Sequence, residues 1–520
     1  MEGLKLQTMQ SWAWTVVPAI LVVYIVFRMA FNETTPELHF PVVQVPSGDT
    51  RDAIVEGYKK APINPPRVVL PMSMFKEVIE LPEEDMSFRE LVHFMFDGKH
   101  THLGENVDAL VSAIRIDLTK SIGGLMPILQ DEARIAFATV MKDVKESWIA
   151  IPAQPYALQI VSRLSGRIFV GSELCRQPEY LRTSTMFTAD AAMVRNDLQQ
   201  YNQILRPWVS PFLSSLKRVQ VHLQDAKSWM DPVIRDILSN TGEKPKTVAA
   251  GSRGAWISWL LKYLPDHEKT STKLGLLQMQ VSFASLHTTT SATTNALLDL
   301  ATFPEYVDEL REEIEAAIAD DGESIDENGQ LYFTKAAVSK MKKLDSFLKE
   351  SQRLTPLAFD GLSRRLHKNV TFSNGLRLPK GMLLSFPMYA AHQSEKNPIS
   401  GIQATAETDS APLDAFDGYR FSRMREVPGN EAKYQATSTG PGQFTFGHGT
   451  NACPGRFFAL YIMKIVMIFV LRNYDIRLPP ESRAAGRPKG KTAGVSNLVN
   501  STVKIEVRAR VSSNTNSSEV

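Results

Sequence analysis

The chain has 520 residues, 43% of them hydrophobic, which is enough to bury a substantial core and excludes a disordered or fibrous protein. Lysine plus arginine (58) nearly balances aspartate plus glutamate (56), so composition points to no nucleic-acid partner and no acidic tail. The 2 cysteines, Cys175 and Cys453, cannot build a disulfide framework and read as reduced thiols, Cys175 as a packed one.

In chain order, the first element is "LQTMQSWAWTVVPAILVVYIVF", Leu6 to Phe27. It carries no charge and as a helix would span roughly 33 Å, about one hydrocarbon core. Residues 1–31 are therefore expected to form a single-pass anchor, with Trp12 and Trp14 suited to one interface and Arg28 to the other. The alternative is a cleaved signal peptide, which the long apolar region and weakly basic start oppose. Residues 32–50, with Pro41 and Pro46, read as an extended linker into a domain at 51–510. From about residue 85 to 315 the apolar spacing predicts successive helices, among them 107–129 and a long, mostly uncharged one at 276–303. The segment 239–254 reads as a surface loop and the acidic 320–330 as a solvated connector. Strands are expected only late: two arms around Asn374-Gly375, and the alternating "STVKIEVRARV". Residues 511–520 are expected to be disordered. Asn500 and Asn516 sit in glycosylation sequons, which matter only if the domain faces a lumen.

Two motifs carry chemistry. Glu350-x-x-Arg353, in "KLDSFLKESQRLTP", puts both side chains on one helix face; alone, such a pair is usually a surface ion pair. About a hundred residues later comes Phe446-x-x-Gly449-x-x-x-Cys453-x-Gly455, followed by the apolar run "RFFALYIMKIVMIFVL". A thiol at a helix start, among backbone N–H groups, is expected to have a lowered pKa and to suit a nucleophile or a soft metal ligand. The glycines would let the backbone pass close to something flat. The alternative is a structural cysteine in a loop.

Phe446, Gly449, Cys453 and Gly455 resemble the haem-binding loop of the cytochrome P450 monooxygenases, and the resemblance extends over essentially the whole chain. It implies a mainly α fold with small β-sheets, preceded by one transmembrane helix, and haem b (iron protoporphyrin IX) as cofactor. Cys453 would be the proximal axial ligand of the haem iron, whose thiolate favours O–O cleavage. Glu350 and Arg353 would hold Arg420, in "FDGYRF", and brace the cysteine loop. "SRLSGRIFVGSELCRQPEYL", "HTTT" and "HGTNACPGRFFA" resemble the fungal microsomal branch typified by ent-kaurene oxidase, whose relatives act on polycyclic terpenoids.

Two departures stand out. Most members carry an acid before the threonine that relays protons during oxygen chemistry; here His287 precedes Thr288, as a proton relay or as a pocket wall. Asn451 replaces a basic residue that bonds a haem propionate, so Arg364 is expected to carry that load, with Arg115 as a second propionate partner. Phe283, Ala284, Leu357, Ala358 and Phe359 are expected to line an apolar substrate pocket. The resemblance further implies an endoplasmic-reticulum membrane protein with a cytosolic catalytic domain. Its electrons would come from NADPH–cytochrome P450 reductase, with cytochrome b5 a second candidate donor. No glycine-rich dinucleotide fingerprint occurs, so the nicotinamide is expected on that partner. The competing functions are a haem-dependent isomerase or dehydratase and a non-catalytic haem sensor.

Overall fold

The computed structural model describes residues 67–510 except 106, 203, 240–253, 322–323, 326–330, 395–396 and 398–410. The expected anchor (1–31), linker (32–50), most of the loop 239–254 and the tail 511–520 lie outside the described residues, as does Asn516. Among the described residues no helix is long and apolar enough to cross a membrane.

The principal helices are α1 (Phe88–Met95), α2 (Asp108–Ser112), α3 (Thr119–Val140), α4 (Ala153–Phe169), α5 (Pro178–Gln199), α6 (Ser214–Ser239), α7 (Ala255–Tyr263), α8 (Ser271–Thr302), α9 (Val307–Asp321), α10 (Lys342–Leu354), α11 (Met388–Gln393), α12 (Arg420–Glu426) and α13 (Arg456–Asn473). A π-helical stretch, Ala113–Leu118, joins α2 to α3, so the helix expected over 107–129 is interrupted where Arg115 sits. The 32-residue α8, about 48 Å long, starts at Thr270, whose side chain accepts the Lys273 N–H at 3.2 Å. Two of its threonines are buried with their hydroxyls folded back on the helix: Thr293 donates to the Thr289 carbonyl and Thr294 to the Thr290 carbonyl. Around α8 the largest apolar cluster joins Leu125 and Ala133 of α3, Leu164 of α4, Leu277 and Leu298 of α8, and Ile465 and Ile468 of α13. A second cluster joins α5, α6 and α8 through Phe187, Val219 and Met279.

The sheets are small and peripheral. One is β1 (Arg67–Val69), β9 (Leu383–Phe386), β6 (Gly361–Leu366) and β2 (Met86–Ser87) in that spatial order, with β1 parallel to β9 and the other pairs antiparallel. Another is antiparallel, β10 (Tyr474–Arg477), β13 (Lys504–Ala509) and β3 (Ile149–Pro152). The turn at Asn374-Gly375 joins β7 (Val370–Thr371) to β8 (Arg377–Leu378), and β11 (Lys491–Ala493) pairs with β12 (Ser496–Leu498). Two expectations need correction. Strands are not confined to the late chain, since β1, β2 and β3 find distant partners, and 320–330 is not only a connector, since β4 (Ser324–Ile325) pairs with β5 (Leu331–Tyr332).

Candidate active site

The cysteine loop is held by its own backbone. The Phe444 carbonyl accepts the Gly447 N–H at 2.8 Å, and the Phe446 carbonyl accepts the Cys453 N–H at 2.7 Å. Gly447 and Gly449 both sit at φ 69°, in the left-handed region where a side chain adds strain. Gly455 opens α13, and the N–H groups of Gly455 and Arg456 bond the Cys453 thiol. A Cβ at Gly455 would stand 3.9 Å from Cys453 Sγ and from an Ile114 methyl. Burial nevertheless pushes the thiol pKa up, outweighing those N–H groups and the Arg456 charge. In the protein alone, burial therefore outweighs the lowering expected from the helix N-terminus; a cation bound beside the sulfur would favour the thiolate. Protein surrounds Cys453 on most sides, yet it keeps some accessible surface.

The brace is charged and wholly buried. Glu350 accepts two bonds from Arg353, each 2.8 Å, and one from Arg420 Nε at 3.1 Å. All three side chains are at 0% exposure. The remaining guanidinium N–H groups are satisfied by carbonyls: Arg353 donates to His392, and Arg420 to Ala411 and Pro412. A buried pair of this kind stands only when its extra N–H groups are satisfied in this way. The spacing in sequence gave no hint that the pair was internal.

Arg364 lies on β6 just past a bulge: Gly361 faces Phe386 but Arg364 faces Leu384, with Leu362 at φ 52° between them. The extra residue turns Arg364 inward to 5% exposure. Burial lowers its pKa to about 10, a shift that Glu83 partly offsets. Its guanidinium donates to the Ser363 carbonyl at 2.9 Å and lies over the Phe88 ring at 5.4 Å, with no ion pair among the described residues. Arg115 is exposed and donates to the Thr450 carbonyl of the cysteine loop at 3.3 Å. Asn451 corrects its expectation: its exposed amide donates to Glu83 Oε2 at 3.3 Å, a carboxylate of this chain.

On α8, Leu286, Thr289 and Thr290 are buried, whereas Ala284 and Thr288, one turn apart, are exposed. Thr288 Oγ1 donates to the Ala284 carbonyl at 2.8 Å. His287 points elsewhere: Nε2 donates to the Thr185 carbonyl of α5 at 2.8 Å. Phe283 meets Phe96 edge to face at 4.8 Å, and Leu357 and Ala358 are half-buried. Phe359 is corrected: at 0% exposure it sits in the core against Tyr389, its backbone bonded to Val495 and Tyr389. Cys175 is a packed thiol as expected, its pKa pushed to about 12, by burial first.

The family described as Cytochrome P450 matches residues 105–397 and 414–505. The chain belongs to the cytochrome P450 family. Similar curated proteins are fungal. Cytochrome P450 monooxygenase 3 of Gibberella fujikuroi is 35% identical, covering 92% of each chain. Cytochrome P450 monooxygenase ascG of Acremonium egyptiacum is 35% identical over 88% of this chain and 87% of its own, and BOA4 of Botryotinia fuckeliana is 33% identical over 95% and 96%. The solved structure of retinoic acid-bound cyanobacterial CYP120A1 shares the fold, with TM-score 0.58 at 15% identity over 84% of this chain and 87% of its own. This cytochrome P450 is an oxidoreductase, and its cofactor is haem b. The residues present fit that group: Arg364 is a buried cation with no ion pair among the described residues, which suits a propionate, and Cys453 supplies a soft donor that keeps accessible surface. Phe96, Thr185 and His392 belong to the site's surroundings and carried no signal in the sequence; only their long-range partners reveal them.

Proposed function

We propose that this P450 inserts one oxygen atom into a bulky, apolar, terpenoid-like metabolite, with Cys453 as the axial ligand of the haem iron. The observation that carries the reading is the cysteine loop that ends at the start of α13, where Cys453 keeps accessible surface, braced by the wholly buried Glu350–Arg353–Arg420 cluster. Bound haem would supply the redox chemistry of oxygen. Arg364 would neutralise a propionate, and Arg115 would stiffen the cysteine loop at Thr450. Thr288 gives its proton to the Ala284 carbonyl, so its lone pairs are free to accept from water and hold a proton donor beside it. His287 favours the pocket-wall role, because its Nε2 proton is already engaged by Thr185. Phe283, Ala284, Leu357 and Ala358 would shape the ligand space, with Phe96 behind Phe283.

Electrons would come from NADPH–cytochrome P450 reductase, with cytochrome b5 as a second donor. The protein would sit in the endoplasmic-reticulum membrane through Leu6–Phe27, its catalytic domain cytosolic. The absence of any charge across that segment supports the anchor. The test is spectroscopic. The reduced, carbon-monoxide-bound protein is expected to show the red-shifted Soret band of thiolate ligation, and Cys453→Ala to lose it; a thiolate-type band in that variant sinks the ligand assignment. Product formation that needs reductase, NADPH and dioxygen separates this reading from an isomerase.

A further inference from the structure

The entry to the cysteine loop is tied by its backbone to a side chain that neither motif contains. Phe444 N–H donates to His392 Nε2 at 3.1 Å. From Phe444 the bonds run on, from its carbonyl to Gly447 N–H and, one turn later, from Phe446 carbonyl to Cys453 N–H. In the other direction the His392 carbonyl accepts Arg353 at 2.7 Å, and its Nδ1 lies 3.4 Å from the Arg353 carbonyl. The Phe444 ring is fixed as well, edge-on to His392 at 5.0 Å, against Phe75 at 5.4 Å, and so close to Gly361 that a Cβ there would approach to 2.8 Å.

We propose that His392 is the positioning residue of Cys453, a neutral imidazole whose Nε2 lone pair ties the cysteine loop to the Glu350–Arg353–Arg420 cluster. Only the neutral ring accepts at Nε2, since the imidazolium donates from both nitrogens. Burial, with the adjacent Arg353 and Lys349 charges, holds the ring neutral, its pKa lowered to about 3. Among the described residues no other donor is found at that atom. Loss of the acceptor would leave a buried Phe444 N–H unpaired and free the loop to shift the sulfur.

The inference rests on Cys453 as haem ligand, and two substitutions separate its failure from that reading's. His392→Gln keeps an acceptor near the Nε2 position but loses the ring; His392→Phe keeps the ring and loses the acceptor. The measurements are haem bound per chain, the fraction of the reduced carbon-monoxide complex in the thiolate-type band, and the thermal midpoint. The expected result is a near wild-type fraction in His392→Gln and at least a several-fold smaller one in His392→Phe, even where both melt alike. A normal band in His392→Phe, equal loss in both variants, or loss confined to His392→Gln overturns the proposal, because ring packing would then be what matters. A wild-type protein without the thiolate band overturns the ligand reading and this inference with it.

Discussion

At the residue scale, the two members of the His287–Thr288 pair have different partners despite their adjacency. Thr288 donates along its own helix to Ala284 and is exposed, whereas His287 crosses to α5 and bonds Thr185. Thr288→Ala is therefore expected to leave substrate binding and haem reduction nearly intact while cutting product per NADPH consumed by several-fold, the lost electrons appearing as hydrogen peroxide. His287→Ala removes a hydrogen bond worth about 1 kcal/mol between α8 and α5, and should weaken substrate binding or change the oxidised position at near-normal coupling. Substrate titration and product analysis read both. Normal affinity with strong uncoupling in His287→Ala would make it the relay and reverse the assignment. The charge cluster teaches the same lesson: Glu350 and Arg353 were visible as a spacing, but their value comes from carbonyls at 392, 411 and 412 that fill every guanidinium position.

At the element scale, α8 is the helix from which the site is read, and its fit against α6 is closest at Gly275. A Cβ there would stand 2.8 Å from Lys227 N and 3.0 Å from Lys227 Cα, backbone atoms that cannot rotate away. Alanine would gain about 1 kcal/mol of helix propensity, but prying two long helices apart costs about 1–3 kcal/mol. Gly275→Ala is thus expected to lower the unfolding midpoint. Gly124→Ala, on α3 with nothing within 4 Å, should hold or raise it; an equal gain in both would show that α6 yields. Much of this architecture was legible from the chain. The long uncharged run, the apolar helix after Cys453 and the Asn374-Gly375 turn each carry their own local pattern. The early strands were not, because β1 and β2 are two or three residues long and exist only by pairing with Leu383–Ser385 and Arg365–Leu366. The bulge that turns Arg364 inward, and the His392–Phe444 link, are likewise long-range facts without periodicity.

At the scale of the whole molecule, the question is what holds the proposed enzyme to a membrane. Among the described residues no helix can cross a bilayer, so a spanning anchor would have to be the uncharged Leu6–Phe27. The folded part nevertheless carries apolar surface of its own between α5 and α6. Ile204 and Leu205 are each 51% exposed, Trp208 77% and Phe212 78%, well beyond what scattered surface residues need. Fully burying a large apolar side chain returns about 1.5–3 kcal/mol, so Trp208 and Phe212 together are worth a reversible attachment of the kind one acyl chain gives, far short of a spanning helix. If Leu6–Phe27 is the anchor, removal of residues 1–27 is expected to leave only a weak association, one that survives salt where Trp208 and Phe212 rather than the neighbouring Arg206 carry it, with haem content unchanged. Adding Trp208→Ser and Phe212→Ser should release the truncated chain to the soluble fraction, read by flotation with vesicles at low and high salt. If the truncated double variant still floats with the vesicles, neither surface is the attachment; if salt alone releases the truncated chain, a basic face must replace the apolar one in the account.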